Sequence, residues 1–333
     1  MQTTFKSIVA LGALAAFAES MEMSSSLATS TISDSLPALK ADAGSVTVSG
    51  MSAGAHYSCH LMILMSNTIK GAGCTKGGAF MSGYGEFRDL DKGKDADFFA
   101  DRALEYILDP ENAHKMDPID NFEGDDRAVI VLSGSNDGSV PPHNIEAIFK
   151  IYDTLGLNGA DGTDGQNLMH VDTGPTGHNF SSAYPEIMLS FLYDALGYNE
   201  IIPATSSTDN DIDGVLGTFE PFCQREFFPE VDNWESDKDF GGRQNGWIYT
   251  PAACQGEGSA GCRVHFVFHG CGASAKSKGK AGYNDLAAAN NIIMVYPDVR
   301  CWDNEGDIDE DGYNTNTGLL PTAIKKMIDR VTG

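Results

Sequence analysis

The sequence predicts an α/β domain built on a mostly parallel central sheet, and three observations carry that expectation. Short apolar runs recur along the chain, each closed by Gly, Pro, Ser or Asp. The stretches between them have helical periodicity, and no internal repeat breaks the alternation.

In chain order the candidate strands are 45–49 (SVTVS), 128–132 (AVIVL), 167–171 (NLMHV), 263–268 (RVHFVF) and 291–296 (NIIMVY). Near-continuous apolar runs suit strands buried on both faces. Helical periodicity falls on 55–65, 103–108, 144–155, 184–196 and 322–331. The acidic, Gly-containing residues 203–246 read as an excursion from one domain rather than a second one. A chain of 333 residues is long enough to bury a sizeable core.

Residues 1–18 read as a secretory signal peptide. Lys6 supplies the positive start, 7–17 an apolar run, and Ala16-Phe17-Ala18 the small residues before a cut. That run is too short to span a bilayer, and no later stretch approaches the roughly 20 apolar residues a spanning helix needs. Residues 19–42 read as a loose Ser/Thr-rich leader, and 43–333 as the single folded domain.

Acidic residues number 47 against 22 basic, a formal charge of −25. Such a surface repels phosphate backbones and anionic headgroups, so neither nucleic acid nor membrane is an expected partner. A hydrophobic fraction of 41% with 17 Phe excludes a disordered acidic chain. A secreted monomer is expected. The seven cysteines, Cys59, Cys74, Cys223, Cys254, Cys262, Cys271 and Cys301, allow three disulfides and one spare thiol in an oxidising compartment. Cys254 and Cys262 flank a Gly-rich turn between extended segments and form the best pair. Zinc is not expected, since no Cys-x-x-Cys repeat or His-x-x-x-His pair is read at ligand spacing.

The chemistry gathers at strand ends. Gly50-Met51-Ser52-Ala53-Gly54 follows the run VTV and precedes an apolar helix. This G-x-S-x-G pattern is a nucleophile elbow, in which a sharp turn lifts the serine above the sheet. A nucleophilic serine needs a base and an orienting acid, in the chain order Ser, Asp, His for such folds. Asp137 stands in the loop SGSNDGSVPP after AVIVL, and His178 in the loop GPTGHNF after NLMHV. Among the later histidines, His170 and His265 lie inside strands and read as packed. His143 follows two prolines and reads as a cap or surface group. The Ala53 N–H is one expected oxyanion donor.

A second donor ordinarily comes from a His-Gly loop upstream of the serine. Here that loop stands downstream, as His269-Gly270-Cys271-Gly272 after strand 263–268. Strand 291–296 and helix 322–331, joined to the N-terminal strand, would restore the usual order. The sequence therefore reads as a circularly permuted α/β-hydrolase fold with neighbouring termini.

The segments VSGMSAGA, SGSNDGSVPP, GPTGHNF, CRVHFVFHGC and the later CWD resemble the extracellular poly(3-hydroxybutyrate) depolymerases, in their circularly permuted form. The resemblance implies ester hydrolysis through an acyl-enzyme, with Ser52, Asp137 and His178 as triad and a neutral polyester as substrate. It further implies oxyanion donors at the Ala53 and Cys271 amides and a substrate-groove aromatic at Trp302, for which a buried structural Trp is the equal alternative. Two stretches depart from the family: the charged run 86–102 and the acidic run after Trp302. An esterase acting on feruloyl or acetyl side groups of polysaccharides would keep the same triad. A non-catalytic, calcium-dependent binding protein is the reading from another class.

Asp209, Asp211, Asp213 and Glu220 follow a calcium-loop spacing, and Asp307, Asp309 and Asp311 repeat its beginning. Neither loop lies between two clear helices, so both read as solvated acidic loops. No cofactor is expected.

Overall fold

The structure, a computed structural model, describes residues 34–82, 93–157, 167–210, 214–231, 240, 242–303, 309 and 312–333. The chain divides into two units, Met1–Ser33, which with the expected signal peptide lies outside the described residues, and Asp34–Gly333, described below. Part of the expected leader belongs to the fold. Leu36 and Ala41 are buried, and the Ala41 N–H donates to the Val331 carbonyl at 3.0 Å.

Eight strands form one sheet: β1 (Thr47–Met51), β2 (Gly71–Thr75), β3 (Ala128–Ser133), β4 (Leu168–Asp172), β5 (Gly217–Cys223), β6 (Asn245–Pro251), β7 (Arg263–Phe268) and β8 (Ile292–Tyr296). Their spatial order is β4-β3-β2-β1-β7-β8-β6-β5. Pairing is parallel from β4 to β8 and antiparallel for β8–β6 and β6–β5. The five expected strands are present. β2, β5 and β6 were not foreseen, and 203–246, rather than leaving the sheet, supplies β5 and the start of β6.

Side chains alternate across the sheet with period two. Val48, Val129, Val131, Phe266 and Val295 point into one core, beneath α1 (Ala53–Leu64), α2 (Ala96–Ile107), α3 (Pro142–Thr154) and α7 (Leu319–Thr332). Ile130, Leu132, Val267 and Met294 point into the other, beneath α4 (Tyr184–Ala195), the single turn α5 (Ala275–Lys278) and α6 (Asn284–Asn290). Every residue of α1 is buried, so the helix is apolar beyond a single stripe, and its polar side chains His56, Ser58 and His60 all find hydrogen-bond partners. Disulfides join Cys59 to Cys74, Cys254 to Cys262 and Cys271 to Cys301, leaving Cys223 as the free thiol. Among the described residues no helix is long and apolar enough to cross a membrane. The carboxyl ends of β1, β2, β3, β4 and β7 bring their loops to one edge of the sheet, where open α/β sheets place their sites.

Candidate active site

Ser52 joins β1 to α1 with φ 58° and ψ −124°, a backbone conformation that L residues adopt only when their surroundings impose it. What imposes it is the close packing of the elbow. A Cβ on Gly50 would lie 2.3 Å from the Gly54 carbonyl, and one on Gly54 would lie 2.2 Å from the Phe268 oxygen. Both glycines of the motif are therefore there for close approach, between the two arms of the turn and against β7.

The three expected side chains meet. His178 Nε2 lies 2.9 Å from Ser52 Oγ, and His178 Nδ1 lies 2.7 Å from Asp137 Oδ2. With Nδ1–H donating to the carboxylate, Nε2 is left to accept the serine proton. The other carboxylate oxygen, Asp137 Oδ1, accepts from the Ser139 and Val140 N–H groups at 2.9 Å each. Those two bonds fix the carboxylate, which is 1% exposed, so that Oδ2 faces the imidazole. The acid and histidine loops are also tied directly: Thr173 Oγ1 donates to the Ser133 carbonyl at 2.6 Å, and the Ser135 N–H to the Gly174 carbonyl at 3.0 Å.

The loop after β7 closes the other side. A Cβ on Gly270 would lie 3.2 Å from Ser52 Cβ, so the His-Gly loop runs beside the serine. Cys271, the next residue, is held to Cys301 by a disulfide, and Ala53 opens α1 on the serine's other flank. Asp298 braces this loop from beneath. Its Oδ1 accepts from His269 Nε2 at 2.9 Å and from Arg243, while Oδ2 accepts from the Ala275 N–H at 3.1 Å. Arg243 also donates to the Ala273 carbonyl at 3.1 Å. Burial pushes the Asp298 carboxyl up, but the hydrogen bond and charge of His269, the Arg243 cation and the Ala275 N–H together hold it below its usual value. Neither Asp298 nor Arg243 stands out in the sequence. The one available signal was the place of Asp298 just past a strand end.

Trp302 is a correction. It is fully buried rather than lining an open groove. Its indole stacks on Tyr57 with centroids 5.3 Å apart, packs edge-on against Phe268, and donates to the His269 carbonyl at 2.7 Å. The aromatic supports the His-Gly loop from within the core. His265 is packed as expected, between Thr47 and Ser49, whereas His170 is exposed on edge strand β4 and bonds Ser133 Oγ at 2.9 Å. His143 stacks on Phe99 in the first turn of α3.

Of the calcium-loop residues, Asp211 and Asp213 lie outside the described residues. Asp209 pairs with Lys280 at 3.3 Å, and Glu220 lies mid-strand in β5, opposite Ile248. The expectation that no His-x-x-x-His pair exists is corrected: His56 and His60 on α1 have the spacing of two metal ligands on one helix face. Both rings are buried against Tyr313, His56 Nε2 at its hydroxyl and His60 Nε2 at its carbonyl. Among the described residues no three His, Cys, Asp or Glu side chains converge as a metal site.

No protein-family model matches the chain. A poly(3-hydroxybutyrate) depolymerase of Delftia acidovorans is 28% identical over 316 residues, which cover 89% of this chain and 61% of that protein. The chain thus spans about three-fifths of that relative. A polyhydroxybutyrate depolymerase of Talaromyces funiculosus is 39% identical over 57 residues, 16% of each chain. Two solved structures share the fold, each with a TM-score of 0.69 at 19% identity, over 90% of this chain and 98% of theirs. They are a PHB depolymerase from Penicillium funiculosum and a serine-to-alanine PHB depolymerase complexed with an R3HB trimer. The chain has the α/β-hydrolase fold and resembles, over most of its length, the poly(3-hydroxybutyrate) depolymerases.

Proposed function

We propose that this chain is a secreted serine esterase that hydrolyses an aliphatic polyester of the polyhydroxybutyrate type. The observation that carries the reading is the Ser52–His178–Asp137 relay, with contacts of 2.9 and 2.7 Å, at the turn between β1 and α1. His178 Nε2 takes the serine proton as Ser52 Oγ attacks an ester carbonyl, and Asp137 stabilises the imidazolium that forms. The Ala53 and Cys271 N–H groups stabilise the oxyanion. Collapse of the tetrahedral intermediate breaks the ester C–O bond, and the imidazolium returns its proton to the departing alcohol. Water, deprotonated by His178, then attacks the acyl-enzyme and frees the carboxylic acid.

Further support comes from the similarity to PHB depolymerases and from the substrate's neutrality, which suits a chain of net charge −25. Three disulfides favour export. The sheet order, with the oxyanion strand β7 beside β1 in space but late in the chain, favours a circular permutation. All five groups of the relay and oxyanion hole come from one chain, so a monomer suffices.

The test is hydrolysis of p-nitrophenyl butyrate and of amorphous polyhydroxybutyrate by the purified protein beside Ser52→Ala. Serine-dependent cleavage of both is expected, with the variant reduced by at least about 10⁴-fold. Cleavage of the small ester alone would replace the polyester substrate by a side-group ester. Undiminished activity in folded Ser52→Ala would remove the site assignment.

A further inference from the structure

Lys76, one residue beyond β2, is completely buried. Its Nζ donates to Gly177 O at 2.6 Å, Asn179 O at 3.1 Å and Thr176 Oγ1 at 3.1 Å, and lies 3.4 Å from Tyr184 Oη. Two of these acceptors are the carbonyls on either side of His178, and a third is the side chain two residues before it. The lysine is also wedged under the acid loop. A Cβ on Gly134 would meet Thr176 Oγ1 at 2.4 Å and Lys76 Cε at 3.1 Å.

An ammonium taken wholly out of water is costly, and among the described residues no carboxylate pairs with it to offset that cost. Apolar packing at this point would serve stability more cheaply. What a hydrophobic residue could not do is grip the loop's carbonyls from beneath. That loop carries the imidazole, but apart from Pro175 its residues before Phe180 are Gly, Thr, His and Asn, which bring no apolar side chain to anchor it to the core.

We propose that Lys76 is a positioning residue for the catalytic base: its ammonium fixes the backbone on both sides of His178 and so sets the imidazole between Ser52 and Asp137. This rests on the esterase reading above. Lys76 touches neither substrate nor reacting atoms. Its contribution is to the geometry of proton transfer, where an ångström of misplacement can cost about a hundredfold in rate. Loss of the ammonium should therefore lower kcat and leave KM nearly alone.

The test is Lys76→Met, which keeps the side chain's length and removes its charge and donors. It is assayed on p-nitrophenyl butyrate with active sites counted by a fluorophosphonate titrant, beside wild type and Ser52→Ala. Counting titrated serines separates slow sites from a misfolded fraction. A tenfold to hundredfold fall in kcat per titrated site is expected, with KM within threefold. A fall of less than threefold, or a rise in KM at constant kcat, overturns the proposal. Should Lys76→Met fail to fold, Thr176→Val decides by the same measure, since it deletes one acceptor and leaves the ammonium. A threefold or greater loss per site supports the clamp, and no loss removes it. Activity surviving in Ser52→Ala would instead overturn the esterase site itself, whatever Lys76→Met does.

Discussion

Trp302 shows how a residue's type can be read from sequence while its role cannot. A Trp between a cysteine and an aspartate, one of them able to pair with the His-Gly loop, is consistent with a wall of the groove or with a pillar beneath it. The structure makes it a pillar: fully buried, stacked on Tyr57, and bonded to the carbonyl of His269. Trp302→Ala is expected to destabilise the fold by about 3–5 kcal/mol, the usual range for deleting a buried tryptophan. Trp302→Phe should recover most of that loss without the bond to His269. Denaturant midpoints of the three proteins check this; an alanine variant as stable as wild type would return the residue to the surface. Ser52, Asp137 and His178 were legible because each is marked twice, by a strand end and by chain order. Lys76 and Asp298 act through backbone carbonyls and N–H groups distant in sequence, and such partners leave no spacing to read.

At the scale of elements, three of the legible strands, β3, β7 and β8, put apolar side chains into both cores, whereas edge strand β4 buries only Leu168 there. β2 reads GAGCT and has almost no β-forming side chains. It is small because α4 lies hard against it: a Cβ on Gly73 would come within 2.8 Å of Met188 Sδ. β5 contains Glu220 and Pro221, exposed at the sheet's edge, where a proline is tolerated. The histidines that line α1 and β7 give these elements a pH dependence. Burial lowers His56 to about 4 and His265 to about 3, from an ordinary 6.5. Below pH 6.5 the unfolded chain binds protons that the folded chain refuses, so stability is complete above that pH and is lost as pH falls toward those values. By pH 5 each histidine should remove about 2 kcal/mol. Urea midpoints at pH 7 and pH 5 measure the loss, and His265→Gln should show a shallower dependence. A midpoint unchanged between the two would contradict the neutral burial of these rings.

For the molecule as a whole, chain order and spatial order disagree in an informative way. Serine strand β1 comes first in the chain and sits at the centre of the sheet, beside β7, the strand that leads into the His-Gly loop, which comes next to last. The displaced His-Gly motif made this legible in sequence, although the antiparallel pair β5–β6 that completes the sheet was not. The two ends of the folded unit lie together. Ala41 bonds Val331, and Arg330 donates to the Leu36 carbonyl at 3.3 Å. If the order arose by permutation, it should be reversible. Joining Gly333 to Asp34 through a short Gly/Ser linker, which keeps the bond from the Cys223 N–H to the Asp34 carbonyl, and opening the chain between Ala204 and Thr205 would place β5–β8 ahead of β1. Both residues at the cut are exposed, and the cut precedes the bonds from Thr208 to Asp285, so it severs no described contact of the core. The three disulfide pairs remain possible in the new order, because none spans the cut. The permutant should refold, keep Ser52-dependent ester cleavage within about tenfold of wild type, and melt a few degrees lower, since new ends and a new loop change only chain entropy. Refolding yield, melting temperature and p-nitrophenyl butyrate turnover are the measurements. A permutant that stays unfolded under oxidising refolding, with the linker lengthened to remove strain, would mean that the present order is required for the fold rather than one of two equivalent ways through it.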